Sequence, residues 1–347
     1  MNIITCEQVS NGHPDKICDQ VSDAIVTECL RHDKNSRAAI ECLCKDDKLI
    51  IAGEVTSTYT PDYQGIANHV YDLIGMDFHP EITVMVSRQS PDIALGVDRE
   101  GAGDQGIMFG YATNETPEML PIPYVLATTF LKLLKDRKLP YLKPDAKSQV
   151  SYDYDSGRIT TFLCSTQHDE TVEVDDFCDE IIGLMKETAL IYNLNTDFEA
   201  LVNPTGRFVI GGPFADCGVT GRKIACDTYG GIGHIGGGSL CSKDPTKVDR
   251  SAAYMARKIA KDIVRKEWAE RCEVQFAYAI GIAEPVSIHV ECFGTERIPV
   301  DVITEDVAQN YDLTPKGIID SLHLLDVDYF VLASYGQFTH PEVPWEQ

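Results

Sequence analysis

Apolar positions recur at helical spacing over residues 14–31, where Ile17, Val21, Ala24 and Ile25 share one face and Pro14 suits a first turn. Two runs with strand alternation follow, 38–44 and 48–55, joined at Asp46-Asp47, and a helical stretch covers 63–74. The same order then returns. A helix is predicted over 121–137, strands over 148–154 and 158–164 around the turn Asp155-Ser156-Gly157, and a helix over about 173–188. A third round gives a helix over 249–266, strands over 272–282 and 285–293, and a helix near 303–311. Helix–strand–strand–helix, repeated three times, predicts an α+β protein (α/β two-layer) of three similar units, each with helices on one face of a mostly antiparallel sheet. Residues 91–116 and 203–238 show no clean period and are rich in Gly and polar side chains, so the chemistry is expected there.

At 347 residues the chain is long enough for two or three domains. Its 54 acidic against 30 basic side chains give a net charge of −24, which argues against nucleic acid or an anionic membrane as partner and makes any local basic cluster informative. No run approaches the length of a membrane span, and the N-terminus lacks the basic-then-apolar order of a signal peptide. Most of the 12 cysteines sit singly in apolar patterns, and Cys42 and Cys44 alternate as in a strand. Reduced buried thiols in a cytoplasmic protein are therefore expected, with neither a zinc site nor a redox pair.

The strongest chemical signal is Gly236-Gly237-Gly238-Ser239 followed by Lys243, Lys247 and Asp249. Glycines let backbone N–H groups approach an anion, and two lysines with a carboxylate suit a polyphosphate and its divalent metal. No P-loop pattern is present. Ser10-Asn11-Gly12-His13-Pro14-Asp15-Lys16 places a histidine, a carboxylate and a lysine at a helix N-terminus, favourable for an anion, although a plain capping turn built on Asn11 or Asp15 would read the same. Arg207-Phe208 lies between turn signals, where Phe208 could stack on a nucleobase or fill a core. Asp216 precedes the cation pair Arg222-Lys223, and residues 101–106 form a Gly-rich loop around Asp104. Glu41 and Glu54, in strands joined near residues 46–47, are expected roughly across from each other, either at a cation or on an exposed sheet face.

Taken together, Gly12-His13-Pro14-Asp15-Lys16-Ile17, residues 101–106, Pro144-Asp145-Ala146-Lys147-Ser148-Gln149-Val150, residues 203–212, Thr220-Gly221-Arg222-Lys223 and residues 243–250 closely resemble the methionine adenosyltransferases (S-adenosylmethionine synthetases), from Thr5 to Trp345. The resemblance implies three related domains around a pseudo-threefold axis, here 1–97, 98–209 and 210–347. It implies the joining of ATP and L-methionine, with loss of the whole triphosphate and its cleavage to pyrophosphate and phosphate. Active sites would lie between the subunits of a dimer, often paired into a tetramer.

By position, the resemblance makes His13, Lys147, Arg222 and Lys243 catalytic. Asp145, Arg207, Phe208, Asp216, Lys223 and Ser239 join them around ATP. Glu54, Gln89, Asp104, Asp216 and Lys247 would meet methionine. Asp15 and Asp249 would hold Mg²⁺, and Glu41 K⁺. The chain departs from the family pattern at Asn11 (usually Glu), at Ser242 (usually Gly) and in a shortened gate segment over residues 94–101.

Overall fold

The computed structural model describes residues 2–88 and 101–347. The first unit is α1 (Pro14–His32), β2 (Arg37–Lys45), β3 (Lys48–Thr56) and α2 (Tyr63–Ile74), and β4 (Glu81–Ser87) then returns parallel to β3. The second is α3 (Ile122–Arg137), β6 (Leu142–Asp153), β7 (Arg158–His168) and α4 (Val174–Ile191), with β8 (Glu199–Val202) parallel to β7. The third follows a short helix, α5 (Ile224–Asp227), and is α6 (Val248–Arg265), β10 (Arg271–Tyr278), β11 (Ser287–Glu291) and α7 (Val300–Asn310). The repeat expected from periodicity is present in all three rounds. Strand β10 ends four residues earlier than expected, because the chain turns at Gly281 with φ 78°.

Each sheet is completed by a strand that belongs elsewhere in the chain. Strand β1 (Ile3–Val9), just before α1, pairs with β6 of the second unit. Strand β5 (Gly106–Thr113), before α3, pairs with β10 of the third. Strand β9 (Gly218–Val219), before α6, pairs with β2 of the first. The three exchanges close a ring, so every unit lends its leading strand to the next. Residues 106–113, expected to be irregular, are therefore a strand, and their run Gly-Ile-Met-Phe-Gly-Tyr-Ala-Thr packs against α6. Gly110 is required there, since a Cβ would stand 1.9 Å from the backbone of Ala256.

The exchange positions the chemistry. Having paired with β6, β1 runs into Ser10, whose N–H donates to the Ala146 carbonyl (2.8 Å) and whose hydroxyl donates to that of Pro144 (2.6 Å). Gly12 lies flat on Pro144, where a Cβ would sit 2.4 Å from the proline. Asp145 and Lys147 of the second unit thus arrive beside the first turn of α1. Strand β9 brings residues 216–223 to the same turn, with Gly218 against the Pro14 carbonyl. The hairpin at Asp46-Asp47 has two residues, pairing Lys45 with Lys48. Glu41 is consequently opposite Ala52 and Glu54 opposite Ala39, so the two glutamates are diagonal rather than facing.

Candidate active site

The N-cap of α1 is His13, not Asn11 or Asp15: its Nδ1 accepts the Asp15 N–H (3.1 Å), and Pro14 takes the first helical position. A ring whose Nδ1 accepts a backbone hydrogen carries its own proton on Nε2. Burial, with the Lys223 and Lys147 ammonium groups nearby, pushes the His13 pKa down to about 3. The imidazole is neutral and presents an N–H. Asp15 is buried as well, yet its pKa is lowered: the cost of burial is outweighed by hydrogen bonds from Lys223 (2.6 Å) and the Val219 N–H (2.9 Å). Asp145 accepts the Gly212 N–H (2.8 Å), and burial raises its pKa to about 6. Lys147, opposite Val9 in the β1–β6 register, is exposed and makes no ion pair among the described residues.

Asp15 is the first of three aspartates spaced by four along α1, all buried. Asp19 accepts the Gly221 N–H (2.8 Å) and the Lys16 ammonium (2.9 Å), and Lys16 also bonds Asp227. Asp23 accepts the Ser242 N–H (2.8 Å) and Arg250, whose guanidinium in turn donates to the Lys243 carbonyl (2.8 Å). Each carboxylate pins one piece of a polar loop: 219–223, 221–227 and 242–250. Asp19, Asp23 and Arg250 are the structural members of the site that the sequence reading did not single out. Their signal was the i, i+4, i+8 spacing, which on an amphipathic helix reads as a solvated stripe. Asp19, Asp227 and Cys241 bring their ligand atoms within 4.8 Å of one another, but the Lys16 ammonium already serves both carboxylates, so the cluster is a buried ion network.

A second group lies further along α1; the eight residues from Asp15 to Asp23 span about 12 Å of helix. The segment 242–244 adds to β2 as an edge, with Ala39 bridged to Lys243 and the Asp244 N–H donating to the Ala38 carbonyl (3.0 Å). Lys243 pairs with Asp249 (2.5 Å), and Lys247 with the buried Asp244. Gly238 lies against the Asp249 carboxyl, which would have to move aside for a Cβ standing 2.1 Å away. Lys243, Lys247, Asp249, Glu54, Asp104 and Arg37 line one cavity of about 310 Å³. Glu41 is at its margin, bonded by Ser242, and burial raises its pKa despite the Lys243 charge nearby.

The residues expected at the site therefore fall into two groups. His13, Asp15, Asp145, Lys147, Asp216, Arg222 and Lys223 gather at the first turn of α1; Arg222 is exposed and reaches to 4.0 Å from Asp15. Arg207 and Phe208 lie at the end of β7, where the Phe208 N–H donates to His168 Nε2 (3.1 Å). Ser239 packs on Gly221 between the groups and donates to the Cys241 carbonyl (3.1 Å). Glu41, Glu54, Asp104, Lys243, Lys247 and Asp249 form the second group. Gln89 and residues 94–100 of the expected gate lie outside the described residues. Asn11 is 4% exposed and its amide oxygen accepts the Tyr335 hydroxyl (2.9 Å), a place where an unpaired carboxylate would be costly.

Comparison with known proteins identifies the family of the chain. Family profiles described as S-adenosylmethionine synthetase N-terminal, central and C-terminal domain match residues 1–95, 99–208 and 210–347. The S-adenosylmethionine synthase of Treponema denticola is 44% identical, the alignment covering 100% of this chain and 96% of that protein. That of Mesoplasma florum is 46% identical over 99% of this chain and 97% of the relative, and that of Sorangium cellulosum 44% over 99% and 87%. With all three of its parts matched in order on a fold of three exchanged units, this chain belongs to the S-adenosylmethionine synthetase family.

Proposed function

We infer that the two groups on α1 are the halves of a methionine adenosyltransferase active site. The observation that carries this reading is a neutral His13, its Nε2–H fixed by the N-cap bond, surrounded by Lys147, Lys223 and Arg222. In the reaction the methionine sulfur uses a lone pair to form a bond to C5′ of ATP. The C5′–O5′ bond breaks, and its electron pair leaves with the triphosphate. The sulfur carries no proton, so this step needs no base. The His13 Nε2–H is suited to donate a hydrogen bond to the departing O5′, and the cations neutralise the triphosphate. A carboxylate-lined cavity containing Glu54 and Asp104 suits the sulfonium product. Arg207 and Phe208 would hold the nucleotide, with Phe208 stacked on adenine, and Lys247 and Asp216 would bind methionine.

Family membership implies metal-dependent use of ATP. Asp15 and Asp249 fit Mg²⁺: both are hard oxygen donors, each now facing an ammonium group where a cation would replace it. Bound there, Mg²⁺ would neutralise charge on phosphate oxygens. Glu41 fits K⁺ by its donor chemistry: its carboxylate is a hard oxygen donor on the exposed face of β2, on the same face as Glu54.

Asp15 and Asp249 belong to different halves, so we place the complete site between two copies of the chain, one half from each. The outer face of the sheet β4-β3-β2-β9 supports this: Leu43, Ile50 and Met85 are 38%, 37% and 63% exposed, beside Glu41 and Glu54. The assembly is a dimer, alone or paired into a tetramer. No described helix is long and apolar enough to cross a membrane, and we place the enzyme in the cytoplasm. Incubation with ATP, methionine, Mg²⁺ and K⁺ followed by mass spectrometry is expected to yield S-adenosylmethionine with equal pyrophosphate and phosphate. Phosphate release that does not depend on methionine would make the chain a hydrolase instead.

A further inference from the structure

Ser242 has φ 81°, a conformation that glycine adopts freely and an L-residue adopts only under strain. The residue is fully buried and all its polar groups are engaged. Its N–H donates to Asp23 (2.8 Å) and its carbonyl accepts the Ile40 N–H (3.0 Å). Glycine would make both of those bonds. Only the third needs serine: the hydroxyl is 3.3 Å from Glu41 Oε1. A strained side chain kept for one contact points to a role for that contact.

We propose that Ser242 positions Glu41 and thereby sets the affinity of the monovalent-cation seat there. This rests on the reading of Glu41 given above. A hydroxyl that donates its hydrogen to a carboxylate fixes that carboxylate's rotamer, so Ser242 can hold Glu41 in the orientation that receives a cation. Glu41 gains no other side-chain hydrogen bond among the described residues; the Lys243 charge favours its ionised form, and Asp19 and Glu54 oppose it. Serine here therefore tightens K⁺ binding relative to a glycine at the same place.

The test uses the full chain with two variants, Ser242→Ala and Ser242→Gly. Alanine removes the hydroxyl and keeps the backbone strain, whereas glycine removes both. Thermal midpoints are followed in KCl against tetramethylammonium chloride without substrates, and S-adenosylmethionine formation is followed against K⁺ concentration. Both variants are expected to need about five- to tenfold more K⁺ for half-maximal effect in each assay. An unchanged K⁺ response in both variants overturns the proposal, as does a shift confined to the glycine variant, which would trace to the backbone. A wild-type chain that makes S-adenosylmethionine yet shows no K⁺ response removes the cation reading of Glu41 itself, and this proposal with it.

Discussion

At the first turn of α1 the charged groups are held largely by backbone, while in the cavity around Lys243 they are held by one another. His13 is oriented by the Asp15 N–H, Asp15 by the Val219 N–H and Lys223, and Asp145 by the Gly212 N–H. Lys147 is left unpaired among the described residues. In the second half, Lys243 is neutralised by Asp249 and Lys247 by Asp244. The first half is preorganised for an anion. The second is self-compensated, and its lysines gain a phosphate only by giving up a carboxylate, which a Mg²⁺ at Asp249 would make favourable. On the reading proposed above, neither half is by itself a complete site.

The largest expected effect tests that division directly. His13→Asn and Lys243→Met should each lower turnover by roughly 10²–10³ while leaving the fold intact. If the site joins halves from two chains, unfolding and refolding an equal mixture of the two variants should restore about a quarter of wild-type activity. Half of the dimers are then mixed, and each mixed dimer has one of its two sites free of both substitutions. No recovery would place both halves of a site on the same chain.

Arg250→Met examines what holds the second half. The Asp23–Arg250 pair is fully buried, so removing the guanidinium leaves an unpaired carboxylate and frees the Lys243 carbonyl. A loss of about 3–5 kcal/mol in denaturant unfolding is expected. A loss under about 1 kcal/mol would show that the pair contributes little.

The smallest effect concerns pH. The folded pKa of His13, about 3, lies below the unfolded value of 6.5, so the unfolded chain takes up the proton first as pH falls. Stability contributed by the neutral ring is full above the unfolded value and is lost between pH 6.5 and 3. Asp145 and Asp227, raised to about 6 and 7, slope the other way, so the quantity to follow is wild type minus His13→Gln. That difference should shrink on acidification; a flat difference would mean the ring titrates normally.

The threefold element order was legible because helical and strand periods are local properties of the sequence. The strand exchange was not. Strand β9 has two residues, too few to show a period, and β1 finds its partner in β6 more than a hundred residues away. The register of Glu41 and Glu54 depended on a two-residue turn that composition did not distinguish from a longer one. Asn11, conspicuous as a departure, has a plain tertiary account in its bond from Tyr335.

Local sequence by itself determined three units, a glycine-rich stretch ahead of two lysines, and a set of cations standing out from a strongly acidic chain. It could do so because periodicity, backbone freedom and charge are carried by neighbouring residues. Only tertiary structure decided that Asp15, Asp19 and Asp23 face inward, that His13 is neutral, and that the cations fall into two groups. Burial, desolvation and long-range pairing set those outcomes, and they exist only once distant segments pack together.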